Sequence, residues 1–116
     1  MATKAQIAER VLQKLMVLEH GETIDSGDQT IVEAAYDSAY GLLDHDRLVT
    51  WGSTDAIPVA AEIPIIDYVA NQVKGAFSVP ADIRATLPAE ALIAERKLAS
   101  LTQGDYAPDT VPAEYF

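Results

Sequence analysis

Apolar residues recur three and four positions apart through most of this chain. That spacing commits it to amphipathic helices that must cover one another's apolar faces. The first run is the best marked. Thr3-Lys4-Ala5-Gln6 fits a capping box, with Thr3 as N-cap and Gln6 reaching back to it. Ile7, Val11, Leu12, Leu15 and Leu18 then form one apolar face, and Gly21 is the expected stop. A second run has the same form. Ser26-Gly27-Asp28-Gln29 predicts another capping box, and Ile31, Val32, Ala35, Ala39, Leu42 and Leu43 predict a buried stripe that ends at Asp44-His45-Asp46.

The residues from Arg47 to Ile63 break the pattern. Leu48, Val49, Thr50 and Trp51 are β-prone, and Gly52-Ser53 punctuates them. A third helix is expected from Pro64, since proline suits the first helical position, with an earlier start at Pro58 and a kink at Pro64 as the alternative. Ile66, Val69, Val73, Ala76 and Phe77 keep its period until Ser78-Val79-Pro80 breaks it. Pro80 to Ala85 can form a short turn. Pro88 opens the fourth helix, through Leu92, Ile93, Leu98 and Leu101 to Gln103-Gly104. The expected fold is therefore mainly α: a four-helix bundle, five with the short turn, with a long β-prone excursion at 47–63. Residues 1–103 form the helical domain and 104–116 an extended C-terminal tail.

That tail has Pro108 and Pro112 and no helical period, yet it holds Tyr106, Val111, Tyr115 and Phe116. Burying its aromatic rings at about 25 cal/mol per Å² falls short of an ordering cost of about 1.5 kcal/mol per residue. The tail therefore needs a partner to be fixed, and docking on another protein chain is the expectation. Trp51, the single tryptophan, is either a core anchor or part of a loop shown to a neighbour.

The chemistry-bearing residues do not converge. With no cysteine, a disulfide scaffold, a thiolate nucleophile and a Cys-type zinc site are all excluded. His45 between Asp44 and Asp46 reads as a solvated helix end, and His20 as a favourable charge at a helix C-terminus. Glu33 and Asp37, four apart, read as a solvated acidic face. No nucleophile elbow, phosphate loop, dinucleotide glycine pattern or metal-binding loop is present. The sequence thus offers no catalytic, cofactor-binding or metal site. The N-terminal run carries Lys4, Glu9, Arg10 and Lys14, so it does not read as a secretory leader, and no apolar stretch is long enough to span a bilayer. Eight scattered basic residues against 18 acidic ones give a net charge of −10, which argues against a direct grip on nucleic acid.

The order of elements carries a resemblance. The stretches Ala8-Glu9-Arg10-Val11-Leu12-Gln13-Lys14-Leu15, Ile63-Pro64-Ile65-Ile66-Asp67-Tyr68-Val69-Ala70 to Ala76-Phe77, and Ala94-Glu95-Arg96-Lys97-Leu98 resemble the head–tail connector (adaptor) proteins of tailed bacteriophages. These include the tail accessory, or packaged-DNA-stabilising, proteins of short-tailed phages. The resemblance covers about residues 5 to 103. It implies a structural virion protein, made in the host cytoplasm and located in the neck. Such a protein forms a ring, usually of twelve identical subunits, under the portal protein. It joins the capsid to a downstream tail or neck protein and helps retain packaged DNA, which passes through the channel without sequence-specific binding. On this chain, docking to the portal or a neighbour would fall to Tyr106, Val111, Tyr115 and Phe116. Contact with the next subunit or ring would fall to Leu48, Val49, Thr50 and Trp51. Twelve copies at −10 would carry −120, so self-repulsion must be offset by apolar contact or by the tail. The alternative class is a small cytoplasmic helical module that binds or regulates one protein partner.

Overall fold

The computed structural model describes residues 1–106, with side chains to residue 102. Four helices follow one another: α1 (Lys4–Lys14), α2 (Ser26–His45), α3 (Val59–Val73) and α4 (Ala81–Tyr106), with a 3₁₀ turn at Lys74–Ala76. The bundle is mainly helical, as the apolar spacing predicts. The centre is α3, which packs against all three other helices. Its sequence allows this because both sides are apolar: Ala61, Ile65, Ile66, Tyr68, Val69, Ala70 and Val73 are all buried. α1 contributes Ile7, Val11 and Leu12 to the same core and Leu15 follows it there, α2 contributes Val32, Tyr36, Ala39 and Leu43, and α4 contributes Leu87, Ala94 and Leu98.

The helix ends follow local chemistry. The Thr3 hydroxyl accepts from the Gln6 amide at 3.2 Å, and the Gln6 side chain accepts from the Thr3 amide at 2.9 Å, so the first capping box forms as expected. At α2 the cap is Asp25, one residue before the predicted Ser26. Its carboxylate accepts from the Gly27 and Asp28 amides at 3.0 and 3.1 Å, and an ionised acceptor at a positive helix end outbids a neutral hydroxyl. α1 stops at Lys14, well before Gly21. Met16 turns left-handed (φ 63°), its amide donates to the Gln13 carbonyl, and the Val17 amide donates to the Leu12 carbonyl. This is a Schellman closure with methionine in the position glycine favours. α2 closes the same way, with Arg47 at φ 60° and the Leu48 amide on the Leu43 carbonyl.

Four expectations are corrected. The β-prone excursion forms no strand. The one bridge among the described residues joins Ala2 to Ile57, with amides and carbonyls exchanged at 3.1 and 2.7 Å. Val49 and Trp51 are buried against helices, which satisfies their side chains without a neighbouring strand. The third helix starts at Val59, directly after Pro58, so the earlier of the two expected starts holds and the Pro64 start does not, and the excursion shortens accordingly. Pro64 fits within the helix because its fixed φ is helical. It sacrifices the bond to the Ala60 carbonyl while its neighbours bury their side chains. The fourth helix likewise begins at Ala81 and runs through Pro88, absorbing the predicted short turn. The Pro80 carbonyl accepts from the Arg84 amide at 2.9 Å, and the Arg84 guanidinium donates to the Lys74 carbonyl at 3.1 Å, tying the α3–α4 connection. At the far end α4 continues to Tyr106, so the tail does not begin at Gly104.

Candidate interaction surface

Several apolar residues that periodicity assigns to the core lie outside it. Ile31 and Leu42 on α2 are exposed, as are Leu92, Ile93 and Leu101 on α4. On α3, Val59 and Ile63, four residues apart, are both about two-thirds exposed, at 67% and 64%. These side chains fall into two groups on two sides of the bundle.

The first group lines a groove between α3 and α4. A depression of about 350 Å³ is bounded by Ala60, Ile63, Pro64, Asp67, Ile93 and Lys97. It continues toward Leu101, and there a second depression is walled by Thr50, Trp51, Pro58 and Leu98. Ala60 borders both, and its carbonyl has no helical donor because residue 64 is proline. The wall at Trp51 is rigid. Its indole N–H donates to the Tyr36 hydroxyl at 3.0 Å, and the Tyr40 hydroxyl donates to the Trp51 carbonyl. Tyr40 also stacks at a tilt against both Tyr36 and Trp51, with ring centroids 6.3 and 6.5 Å away.

The charges around the groove are unevenly matched. Lys14 reaches Asp67 at 3.2 Å and Glu90 at 2.9 Å, although Glu90 Oε1 is not aligned for a hydrogen bond. Burial works against the Lys14 charge, but the two carboxylates outweigh it and raise its pKa. Arg10 meets Glu62 at 2.6 Å and holds that carboxyl below its ordinary pKa. Lys4 meets Asp37 at 3.0 Å. Arg96 and Lys97, on the rim of the groove, form no ion pair among the described residues. Lys74 and Arg84 likewise have no ion pair among the described residues, but Arg96 and Lys97 stand beside the exposed Ile93 and Leu101.

The second group lies across the bundle. Asp28, Ile31, Ala35, Leu42 and Asp46 follow helical spacing along one edge of α2. Tyr68 of α3 lies near the end of that edge and near Glu95 of α4: its hydroxyl pKa is raised by burial, then by the Glu95 and Asp46 carboxylates. Glu95 lies about 200° around α4 from Ile93 and Lys97, at 100° per residue. The acidic edge and the cationic groove therefore face different ways.

The structure brings together part of the sequence-predicted set. Thr50, exposed, and Trp51, buried, form one end of the groove; Val49 is buried in the core and Leu48 half-buried. Tyr106 lies in the last turn of α4, and Val111, Tyr115 and Phe116 lie outside the described residues. Ile63 and Ile93 were missed as surface residues. Their signal was present, because α3 and α4 carry more apolar residues than a single buried stripe requires. His20, His45, Asp44 and Asp46 are exposed, and among the described residues no three potential ligands converge on a metal position. No helix among the described residues is long and apolar enough to cross a membrane. No family model, curated protein or solved structure matches the chain.

An apolar groove with a cationic rim is suited to holding an apolar, acidic protein segment. Covering Val59, Ile63, Ile93 and Leu101 is worth about 1 kcal/mol each, since each is already partly buried. Association costs about 4–15 kcal/mol in lost freedom. One such contact between free molecules is therefore weak, and it becomes stable when several contacts close together or a partner presents the subunits side by side.

Proposed function

We propose that this chain is a structural connector subunit of a tailed bacteriophage, assembling as a ring on the portal protein and joining it to the tail. The observation that carries the reading is the groove of α3 and α4, left uncovered by the described residues and ending at the Trp51 wall, on a strongly acidic molecule. The resemblance of residues 5–103 to connector proteins supports it, and so does the concentration of aromatic side chains after Gln103. In this role the bundle is a rigid spacer. The segment after Tyr106 docks on the portal or on a neighbouring subunit, and the acidic surface lets DNA pass without adhering.

The test is co-expression with a tailed-phage portal protein, followed by size-exclusion chromatography and negative-stain imaging. The full chain is expected to add a ring of density to the portal, and a chain lacking 107–116 is expected not to. Alone at low salt, the full chain is expected to scatter light as a monomer. Failure to bind the portal, or a stable ring formed without it, overturns the corresponding part of the proposal.

A further inference from the structure

The four helices are not equally held. α1, α2 and α3 each pack against the other two, whereas α4 packs on α3 and makes no other extensive helix contact among the described residues. The polar ties reinforce that triangle. Lys4 meets Asp37, Arg10 meets Glu62, the Trp51 indole N–H donates to Tyr36, and Ala2 exchanges backbone bonds with Ile57. Toward α4, Lys14 pairs with Glu90, but the buried Glu90 Oε1 makes no hydrogen bond. The seam itself is a narrow stripe of Leu87, Ala91, Ala94, Leu98 and Thr102, with open depressions along it.

The connection into α4 has the form of a hinge. α3 ends at Val73, a single 3₁₀ turn follows at Lys74–Ala76, Phe77 is extended, and α4 starts at Ala81. A side chain at Gly75 would meet nothing, so this turn is not packed in. From the α4 side, the Arg84 guanidinium donates to the Lys74 carbonyl at 3.1 Å and the Phe77 carbonyl at 3.5 Å, which clasps the two sides together. Removing α1 or α2 would break two helix interfaces, but removing α4 breaks one. An element held on one side opens at a lower free energy than the whole fold.

We propose that α4 is a hinged arm that opens transiently as a unit about residues 74–80 while α1, α2 and α3 stay packed, and that the Arg84 clasp holds it closed. The motion follows from the packing and does not depend on what the bundle joins.

The absence of native cysteine makes the test clean. Ala91→Cys and Ala94→Cys probe α4, and Ala39→Cys probes α2; the parent side chains are 5%, 2% and 4% exposed, so burial does not distinguish them. Each protein is labelled with N-ethylmaleimide under native conditions and followed by mass. Positions 91 and 94 are expected to label together, about tenfold or more faster than 39. Thr3→Ala removes the α1 cap, which stays formed while the arm is open. It is therefore expected to speed labelling at 39 several-fold and leave 91 and 94 unchanged. Arg84→Gln is expected to speed labelling at 91 and 94 a few-fold. Amide exchange on the parent chain reads the same opening without cysteine, with Ala91 and Ala94 expected to exchange ahead of Ile65 to Ala70. Equal rates at all three thiols, or T3A acting equally on them, would mean that α4 leaves only with the whole fold and overturn the proposal. Labelling at 94 without 91 would mean fraying from the far end of α4 and overturn it too. Unchanged rates in R84Q would remove the clasp, and coincident exchange of α3 and α4 amides would remove the arm.

Discussion

Met16 is the most direct place to test how α1 ends. It sits at φ 63°, where a side chain meets its own backbone, and the Schellman closure from Leu12 to Val17 depends on that conformation. The left-handed position costs an L-residue about 1–2 kcal/mol relative to glycine. Glycine gives back about 0.4–1 kcal/mol of that through the greater freedom of its unfolded chain. Met16→Gly should therefore stabilise the fold by about 0.5–1 kcal/mol. The side chain is 67% exposed, so its loss subtracts little. Met16→Ala is the control that removes the side chain but keeps the strain, and it should be no more stable than the parent. At a slope of about 1.5 kcal/mol/M, the glycine variant should move the urea midpoint up by about 0.3–0.7 M with the slope unchanged. Gly21 supplies the opposite sign. At φ 89° with open space around its missing Cβ, Gly21→Ala should lose about 1 kcal/mol through backbone strain alone. Equal midpoints for the glycine and alanine variants at position 16 would refute the reasoning, because strain would then have no part in this helix end.

Other expectations follow from single contacts. Tyr36→Phe removes the acceptor of the buried Trp51 indole N–H and should cost about 1–3 kcal/mol in chemical unfolding, with a change in tryptophan fluorescence. Glu62 contributes stability above its unfolded pKa, and that contribution is lost as pH falls through its depressed folded value. Glu62→Gln should accordingly lower Tm near neutral pH and converge with the parent only as the pH falls through the depressed folded pKa of Glu62. Lys14→Met leaves Asp67 and Glu90 without their shared cation. The variant should unfold more readily at neutral pH, read as a Tm below the parent's, and an unchanged Tm would show that the shared cation carries no stability.

The helices were legible in the sequence wherever one apolar stripe faced one partner, as in α1 with Ile7, Val11, Leu12 and Leu15. Legibility failed where proline was read as punctuation. Pro64 and Pro88 each forfeit one backbone bond, a local loss that the burial of Ile65, Ile66, Val69 and Leu87 outweighs, and no local signal carries that balance. The excursion misleads for a related reason. Val49 and Trp51 have the side chains that strands favour, but burial in the helical core, with Tyr36 and Tyr40 among its residues, satisfies the same preference. The groove was half visible. Trp51 stood out by its chemistry, whereas Ile93 read as a core residue of the fourth helix and Ile63 as the end of the excursion, until the opposite faces of α3 and α4 proved sufficient to fill the core.

The central position of α3 has a consequence for how the chain matures. α1 and α2 touch each other, but most of what their apolar faces cover belongs to α3, and α4 rests on α3 rather than forming a separate unit. A nascent chain leaving the ribosome therefore has no complete core until the residues of α3 have emerged, and none that excludes water on both sides until α4 follows. Folding should be a single late event, with α1 and α2 dependent on chaperones or on their own fleeting contact until then. Amide exchange in the finished protein should record the same order in reverse, with the amides of Ile65 to Ala70 the last to open.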